Sequence, residues 1–169
     1  MKRIILLLAI VGTFAFQGCS GPEGPQGATG YSAEAEVFEV TASFSASNNF
    51  ESLVTLNPAI LNSDMVLVYR LFDVVNGADV WRSLPQTVYL PQGELDYNFD
   101  FTKYDINIFL DSNFDLTTLS ASWAQSQVFR VVIIPGYLTN RNSKAIDFND
   151  YNAVVKAFNI KENQIKTLK

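Results

Sequence analysis

The chain has 169 residues, of which 13% are aromatic, and its 17 acidic and 12 basic side chains give a formal charge of −5. This length suits one ordinary domain, the aromatic content argues against disorder over most of the chain, and Lys and Arg are too few and scattered for a nucleic-acid partner. The absence of histidine excludes Ser-His and Cys-His nucleophilic sites and His-ligated metals.

Residues 1–18 have the pattern of a secretory signal peptide. Lys2 and Arg3 provide the positive start, and residues 4–16 are an uncharged apolar run. This run is too short to cross a bilayer, which takes about 20 residues, but suits a signal peptide. Without Lys2 and Arg3, 10 basic and 17 acidic side chains remain, and the formal charge is −7.

The segment FQGCS that ends the apolar run resembles a bacterial lipobox. Gly18 and Cys19 match its pattern, whereas the two residues before Gly18 depart from it. The resemblance implies that Cys19 is lipidated, since two or more acyl chains hold a protein firmly on a membrane. By the same resemblance, Ser20 after the cysteine implies that the protein is anchored in the outer membrane. The sequence does not indicate which face of that membrane carries it. The alternative is an ordinary secretory peptide that is cleaved elsewhere.

Residues 19–30 are expected to be the lipidated cysteine and a tether. Glycine stands at every third position of GPEGPQGATG, residues 21–30, which resembles a collagen repeat. Only glycine fits the axis of a collagen triple helix, but three triplets provide little cooperative length. We therefore expect an extended spacer of about 30 Å, at ~3.1 Å per residue. Trimerisation through this segment is the alternative.

The domain predicted for residues 31–169 has short apolar runs with a period of two. Alternation predicts strands in residues 38–44 and 95–101, and longer apolar runs predict them in 65–75 and 128–134. Further strand candidates are residues 105–110 and a last segment around Ile165. A hairpin with a four-residue turn, 91–94, is predicted from residues 88–90 and 95–101. Without a βαβ rhythm, this pattern favours a mostly β fold, an antiparallel Ig-like or jelly-roll-like sandwich.

One C-terminal helix is predicted. Asp147 is the expected N-cap and Asp150 the N3 residue, and Ile146 is expected to pack on the first helical turn. Four apolar residues at i, i+3, i+4 and i+7 would share one face of this helix, namely Tyr151, Val154, Val155 and Phe158.

Residues 111–115, DSNFD, resemble the start of a calcium-binding loop. The EF-hand pattern requires glycine at its sixth position and glutamate at its twelfth, but Leu116 and Ser122 stand there. Asp and Asn also favour turns, because their side chains accept backbone hydrogen bonds. A turn is therefore the preferred interpretation, and neither a metal site nor a cofactor is predicted.

Carboxylates and tryptophans are the other candidates for chemistry. Two of the carboxylates could in principle serve a glycoside hydrolase, although a polar outer strand face explains Asp96 and Asp100 better. Trp81 and Trp123 could stack on sugars, but packing is the preferred interpretation. The five aspartates considered are Asp73, Asp79, Asp96, Asp100 and Asp105.

Over nearly its full length the sequence resembles small collagen-like lipoproteins of outer-membrane bacteria, a resemblance that implies no mechanism. Besides the lipobox and the glycine triplets, the segments that carry it are VLVYRL (66–71), VWRSLPQTV (80–88) and DYNAV (150–154). A name such as dihydrolipoamide dehydrogenase would be unsupported, since the G-x-G-x-x-G turn, redox cysteine pair and histidine of that enzyme are absent from the sequence.

The leading hypothesis is a non-enzymatic, lipid-anchored protein of the cell envelope whose β-domain binds a partner or serves as an accessory. Its expected partners are the membrane, through lipid on Cys19, and an envelope protein or glycan. The alternatives are an envelope hydrolase that uses paired carboxylates and a trimeric surface protein assembled through the glycine triplets.

Overall fold

Two β-sheets make up most of the part of the chain that the structure describes. The computed structural model describes residues 34–139 and 146–168, so the predictions for the signal peptide, Cys19 and the tether lie outside it. The strands are β1 Glu36–Ala42, β2 Glu51–Thr55, β3 Met65–Val75, β4 Ala78–Ser83, β5 Gln86–Leu90, β6 Gly93–Phe101, β7 Asp105–Ser112, β8 Gln127–Ile134 and β9 Lys166–Leu168.

The strands form one five-stranded and one four-stranded sheet. Sheet I has the order β4-β3-β8-β1-β9, and sheet II has the order β2-β7-β6-β5. Neighbouring strands are antiparallel, except that β9 runs parallel to β1. The prediction of a mostly β, antiparallel sandwich is confirmed.

The core between the sheets follows from the alternation along each strand. Sheet I contributes the side chains of Val40, Val68 and Val131 to this inner layer, and sheet II contributes those of Leu95 and Ile108. Successive side chains of a strand point to opposite faces. The intervening residues of β3 and β8 therefore face a second apolar layer on the far side of sheet I.

The predicted C-terminal helix covers that second layer. Three short helices lie in the described residues, α1 Ala121–Ala124, α2 Gly136–Thr139 and α3 Tyr151–Phe158. Tyr151, Val154 and Phe158 of α3 are buried against Tyr69 and Val132 of sheet I. The predicted apolar face of the helix is confirmed.

The predicted N-cap of this helix is wrong. Asp150 is the N-cap, and its side chain accepts a hydrogen bond from the backbone N–H of Asn152. Asp147 instead accepts from the N–H of Asn149 at 2.9 Å and begins the turn that precedes the helix. Both aspartates suit a cap by residue type, and the position of the turn decides between them.

The β5–β6 turn is shorter than predicted. Leu90 pairs directly with Gly93, so the loop has two residues rather than four. Gly93 has a φ of 145°, and a Cβ at this position would lie 2.1 Å from the side-chain oxygen of Asn113. The positive φ, which residues with a side chain rarely adopt, therefore favours glycine here.

The β3–β4 hairpin was missed by the sequence analysis, although its signal is strong. Asn76 and Gly77 have φ angles of 52° and 80°, and they connect the paired residues Val75 and Ala78. Asn-Gly is the preferred dipeptide of the two-residue turn in which both φ angles are positive. The dipeptide could thus have predicted β4.

Candidate functional site

The predicted lipidation site, Cys19, lies outside the described residues. The carboxylates considered for catalysis are spread over both sheets. Asp96, Asp100 and Asp105 follow the outward alternation of β6 and β7, and Asp96 pairs across the strands with Asp111 on this outer face. Asp73 lies in β3 and Asp79 in β4. Asp96 and Asp111, the two carboxylates that are paired across strands, thus lie on the outer surface of sheet II.

The oxygen atoms of residues 111–115 are engaged in turn hydrogen bonds. Asn113 accepts from the N–H of Glu94 at 2.8 Å, and Asp115 accepts from the N–H and the hydroxyl of Thr117. These bonds lower the pKa of Asp115. Asp115 caps the 3-10 turn Leu116–Thr118, as expected for a turn-forming aspartate. No group of three acidic or cysteine side chains in the described ranges is placed to hold a metal ion.

The two tryptophans pack against the two apolar layers. Trp123 lies against the layer between the sheets, and Trp81 lies against the layer below α3, where its ring centroid is 6.0 Å from that of Tyr151. Both are partly buried. Both side chains thus pack against apolar layers, as the packing interpretation expects.

A cavity of about 700 Å³ opens between the start of β1, the segment after β2 and the C-terminal end of the chain. The backbone N–H groups of Leu56 and Ile60 donate to the carbonyls of Tyr104 and Lys103 in the β6–β7 turn, which holds the segment after β2 in place. On the other side, Asn159 caps the C-terminal end of α3 in a left-handed conformation, and its N–H donates to the carbonyl of Val155.

The cavity has an apolar wall and a polar mouth. Phe38, Ile133 and Phe158 are buried side chains of its wall. Both signs of charge occur among the lining residues, with two glutamates and two lysines: Glu34, Glu36, Lys161 and Lys166. Ligand pockets commonly combine an apolar lining with a few polar groups that orient the bound molecule. This lining suits a small amphipathic molecule.

Arg130 anchors the segment that forms one side of the cavity. It lies in the middle of β8, on the helix side of sheet I, and its side chain is 8% exposed. Its guanidinium donates to Glu39 at 2.6 Å and to Glu162 at 3.1 Å, while Asp79 lies 3.8 Å away. Glu162 begins the 3-10 turn Glu162–Gln164. This ion pair therefore ties the chain between α3 and β9 to sheet I.

Aromatic rings complete the surroundings of Arg130. The guanidinium carbon lies 4.0 Å from the ring centroid of Trp81 and 4.8 Å from that of Tyr151. Burial alone would lower the pKa of Arg130, but bonds to Glu39 and the proximity of Tyr151 outweigh it and raise that pKa. Burial also raises the pKa of Tyr151 to about 12, against the opposing charge of Arg130. The charge of Arg130 is thus balanced by the carboxylates of Glu39 and Glu162, and its role is structural.

The sequence analysis did not identify the buried arginines or the cavity. A signal for the former existed, because Arg70 and Arg130 each interrupt a long apolar strand, and charged side chains are rarely fully buried unless paired. The cavity had no comparable signal. Its walls come from segments of the chain that are far apart in sequence, around residues 35, 57 and 160.

Comparisons with protein families, curated proteins and solved structures find no match for this chain. Among the described helices, none is both long and apolar enough to cross a membrane.

Proposed function

We propose that the chain is a lipid-anchored protein of the cell envelope whose β-sandwich is a non-catalytic binding domain. The lipobox-like segment before Cys19 and the glycine triplets behind it support the anchor and the spacer. Two or more acyl chains on one cysteine hold a protein stably at a membrane surface. In this proposal the spacer separates the sandwich from the lipid.

The cavity is the observation that carries the binding role. Its volume of about 700 Å³ falls within the range of small-molecule pockets. Its apolar wall favours a ligand with an apolar part, and the charged mouth favours a polar end. An envelope glycan or protein with such a group, or a free amphipathic molecule, fits this description.

Site-specific photocrosslinking in intact cells tests the proposal. A photoreactive phenylalanine derivative replaces Thr55, which lines the cavity and is exposed. The matched control has it at Thr41, an exposed position of β1 that is not part of the cavity lining. We expect a discrete adduct from position 55 only, and its mass identifies the ligand class. Equal products at both positions, or none at position 55, would contradict the binding role.

The anchor is tested in the same cells. A clickable fatty acid should label the wild-type chain, which should fractionate with the outer membrane, and Cys19→Ala should abolish both. Labelling that persists in Cys19→Ala would contradict the anchor without affecting the crosslinking result.

A further inference from the structure

A second buried arginine, Arg70, lies on the inner face of sheet I, where no described residue compensates its charge. It is 4% exposed, and none of the ion pairs in the described part of the chain involves it. Its Nη1 has no hydrogen-bond partner there. A buried guanidinium without a counter-ion is unfavourable, and an unsatisfied buried donor adds to that cost.

The orientation of Arg70 is fixed by one amide. Gln127 Oε1 accepts from Arg70 Nε at 3.0 Å and from Nη2 at 2.5 Å. The amide nitrogen of Gln127 donates in turn to the carbonyls of Ser122 and Gln125. Gln127 therefore occupies the side edge of the guanidinium. The end that carries Nη1 is left free, and this end can bind a carboxylate in two-pronged geometry.

Gln86 provides further unpartnered polar atoms beside the same tyrosine. Arg70 stacks on the Tyr97 ring, with its guanidinium carbon 4.2 Å from the centroid, and Gln86 pairs with Tyr97 across β5 and β6. Gln86 is 7% exposed, and neither its Nε2 nor its Oε1 has a hydrogen-bond partner within the described residues. Arg70 Nη1 and the Gln86 amide are thus unpartnered buried polar groups of two residues that both neighbour Tyr97.

A second positive charge lies across the strand pair from Arg70. Arg82 is directly opposite Arg70 in the β3–β4 pairing and is exposed. Like charges directly opposite each other destabilise a sheet. Burial lowers the pKa of Arg70, and the charge of Arg82 lowers it further, while Tyr97 acts in the opposite direction. Among the described residues neither of these cross-strand arginines forms an ion pair with a carboxylate, so an added anion would relieve their mutual repulsion.

We propose that Arg70, Gln86 and Arg82 form a binding site for a small carboxylate, separate from the cavity at the start of β1. In this site the carboxylate accepts hydrogen bonds from Arg70 Nη1 and Gln86 Nε2, and the positive charge of Arg82 attracts it. Because Arg70 and Gln86 are both more than nine-tenths buried, the proposed ligand is a molecule as small as acetate and not a protein segment.

Trp123 provides a reporter for this site, since its ring centroid lies 5.4 Å from the Arg70 guanidinium carbon. The mature lipoprotein in phosphatidylcholine vesicles is titrated with sodium acetate, with chloride keeping the ionic strength constant. We expect a saturable change in tryptophan fluorescence for the wild type and its loss in Arg70→Met. Lys103→Gln removes the same charge from an exposed position and should respond like the wild type.

Gln86→Glu tests the proposal independently of whether Arg70→Met folds. Glutamate has the shape of glutamine and would supply the missing carboxylate from within the chain. We expect the unfolding midpoint to rise by about 5 °C without acetate and the acetate response to disappear. A lower midpoint, or an acetate response equal in the wild type and all three variants, would overturn the site. Saturation by inorganic phosphate but not by acetate would overturn the carboxylate class.

Discussion

At the scale of single residues, the two buried arginines differ in the way that their charge is balanced. Arg130 shares its charge with Glu39 and Glu162 on the helix side of sheet I. Arg70, on the inner face, has only the neutral amide of Gln127 as a described hydrogen-bond partner. Removal of the Arg130 charge would leave two carboxylates unpaired, whereas removal of the Arg70 charge would relieve an uncompensated charge. The two substitutions therefore have opposite electrostatic consequences.

Arg130→Met should lower the free energy of unfolding by about 2–4 kcal/mol, because Glu39 and Glu162 lose their partner at a largely buried position. Lys156→Met, an exposed cation in the last turn of α3, should change it by less than about 0.5 kcal/mol. Urea denaturation followed by circular dichroism measures both. Equal losses in the two variants would show that the Arg130 ion pairs contribute little.

At the scale of elements, α3 packs against one face of sheet I through a narrow stripe of side chains. Val154 is completely buried, whereas its neighbour Val155 is only partly so. Eight residues are too few for a stable isolated helix. Packing of this stripe, with the Asp150 cap, therefore maintains α3.

Val154→Ala should cost about 2 kcal/mol of stability, because it removes fully buried methyl groups and leaves a void. Val155→Ala makes the same chemical change at the adjacent position and should cost less than about 1 kcal/mol. Thermal unfolding of both variants separates the burial effect from helix propensity, which is identical for the two. A cost at Val155 as large as at Val154 would contradict the observed helix face.

At the scale of the whole molecule, the open question is whether the glycine triplets assemble chains. A collagen helix needs three chains and many triplets, and residues 21–30 contain three triplets and one further glycine. The spacer interpretation therefore predicts a monomer.

Size-exclusion chromatography with light scattering tests this on a chain that begins at Ser20 and so lacks the lipidated cysteine. We expect the mass of a monomer both with residues 21–30 and after their deletion. A trimer that reverts to a monomer on deletion would establish the collagen-like alternative, whereas a trimer in both cases would place the contact in the β-domain.

Much of the fold was predictable, because alternation and helical periodicity act over a few neighbouring residues. Residues 65–75 and 151–158 show this directly, since the predicted strand and the predicted helical face coincide with β3 and α3. Local patterns were less decisive for the helix start, where Asp147 and Asp150 suit a cap equally well. Strand β2 also lacked a distinctive pattern, although Asn76-Gly77 did signal β4.

The sequence by itself determined the class of fold, the strand faces and the helix, because the periodicity of apolar side chains selects which face is buried. The candidate sites were decided only by the tertiary structure. The apolar runs around Arg70 and Arg130 show that both lie in buried strands, but not which one has a carboxylate neighbour. That depends on strand order and on the face to which each side chain points. Long-range pairing brings Glu39 and Glu162 to Arg130, whereas Arg70 lies opposite Arg82 and bonds only the amide of Gln127 among the described residues.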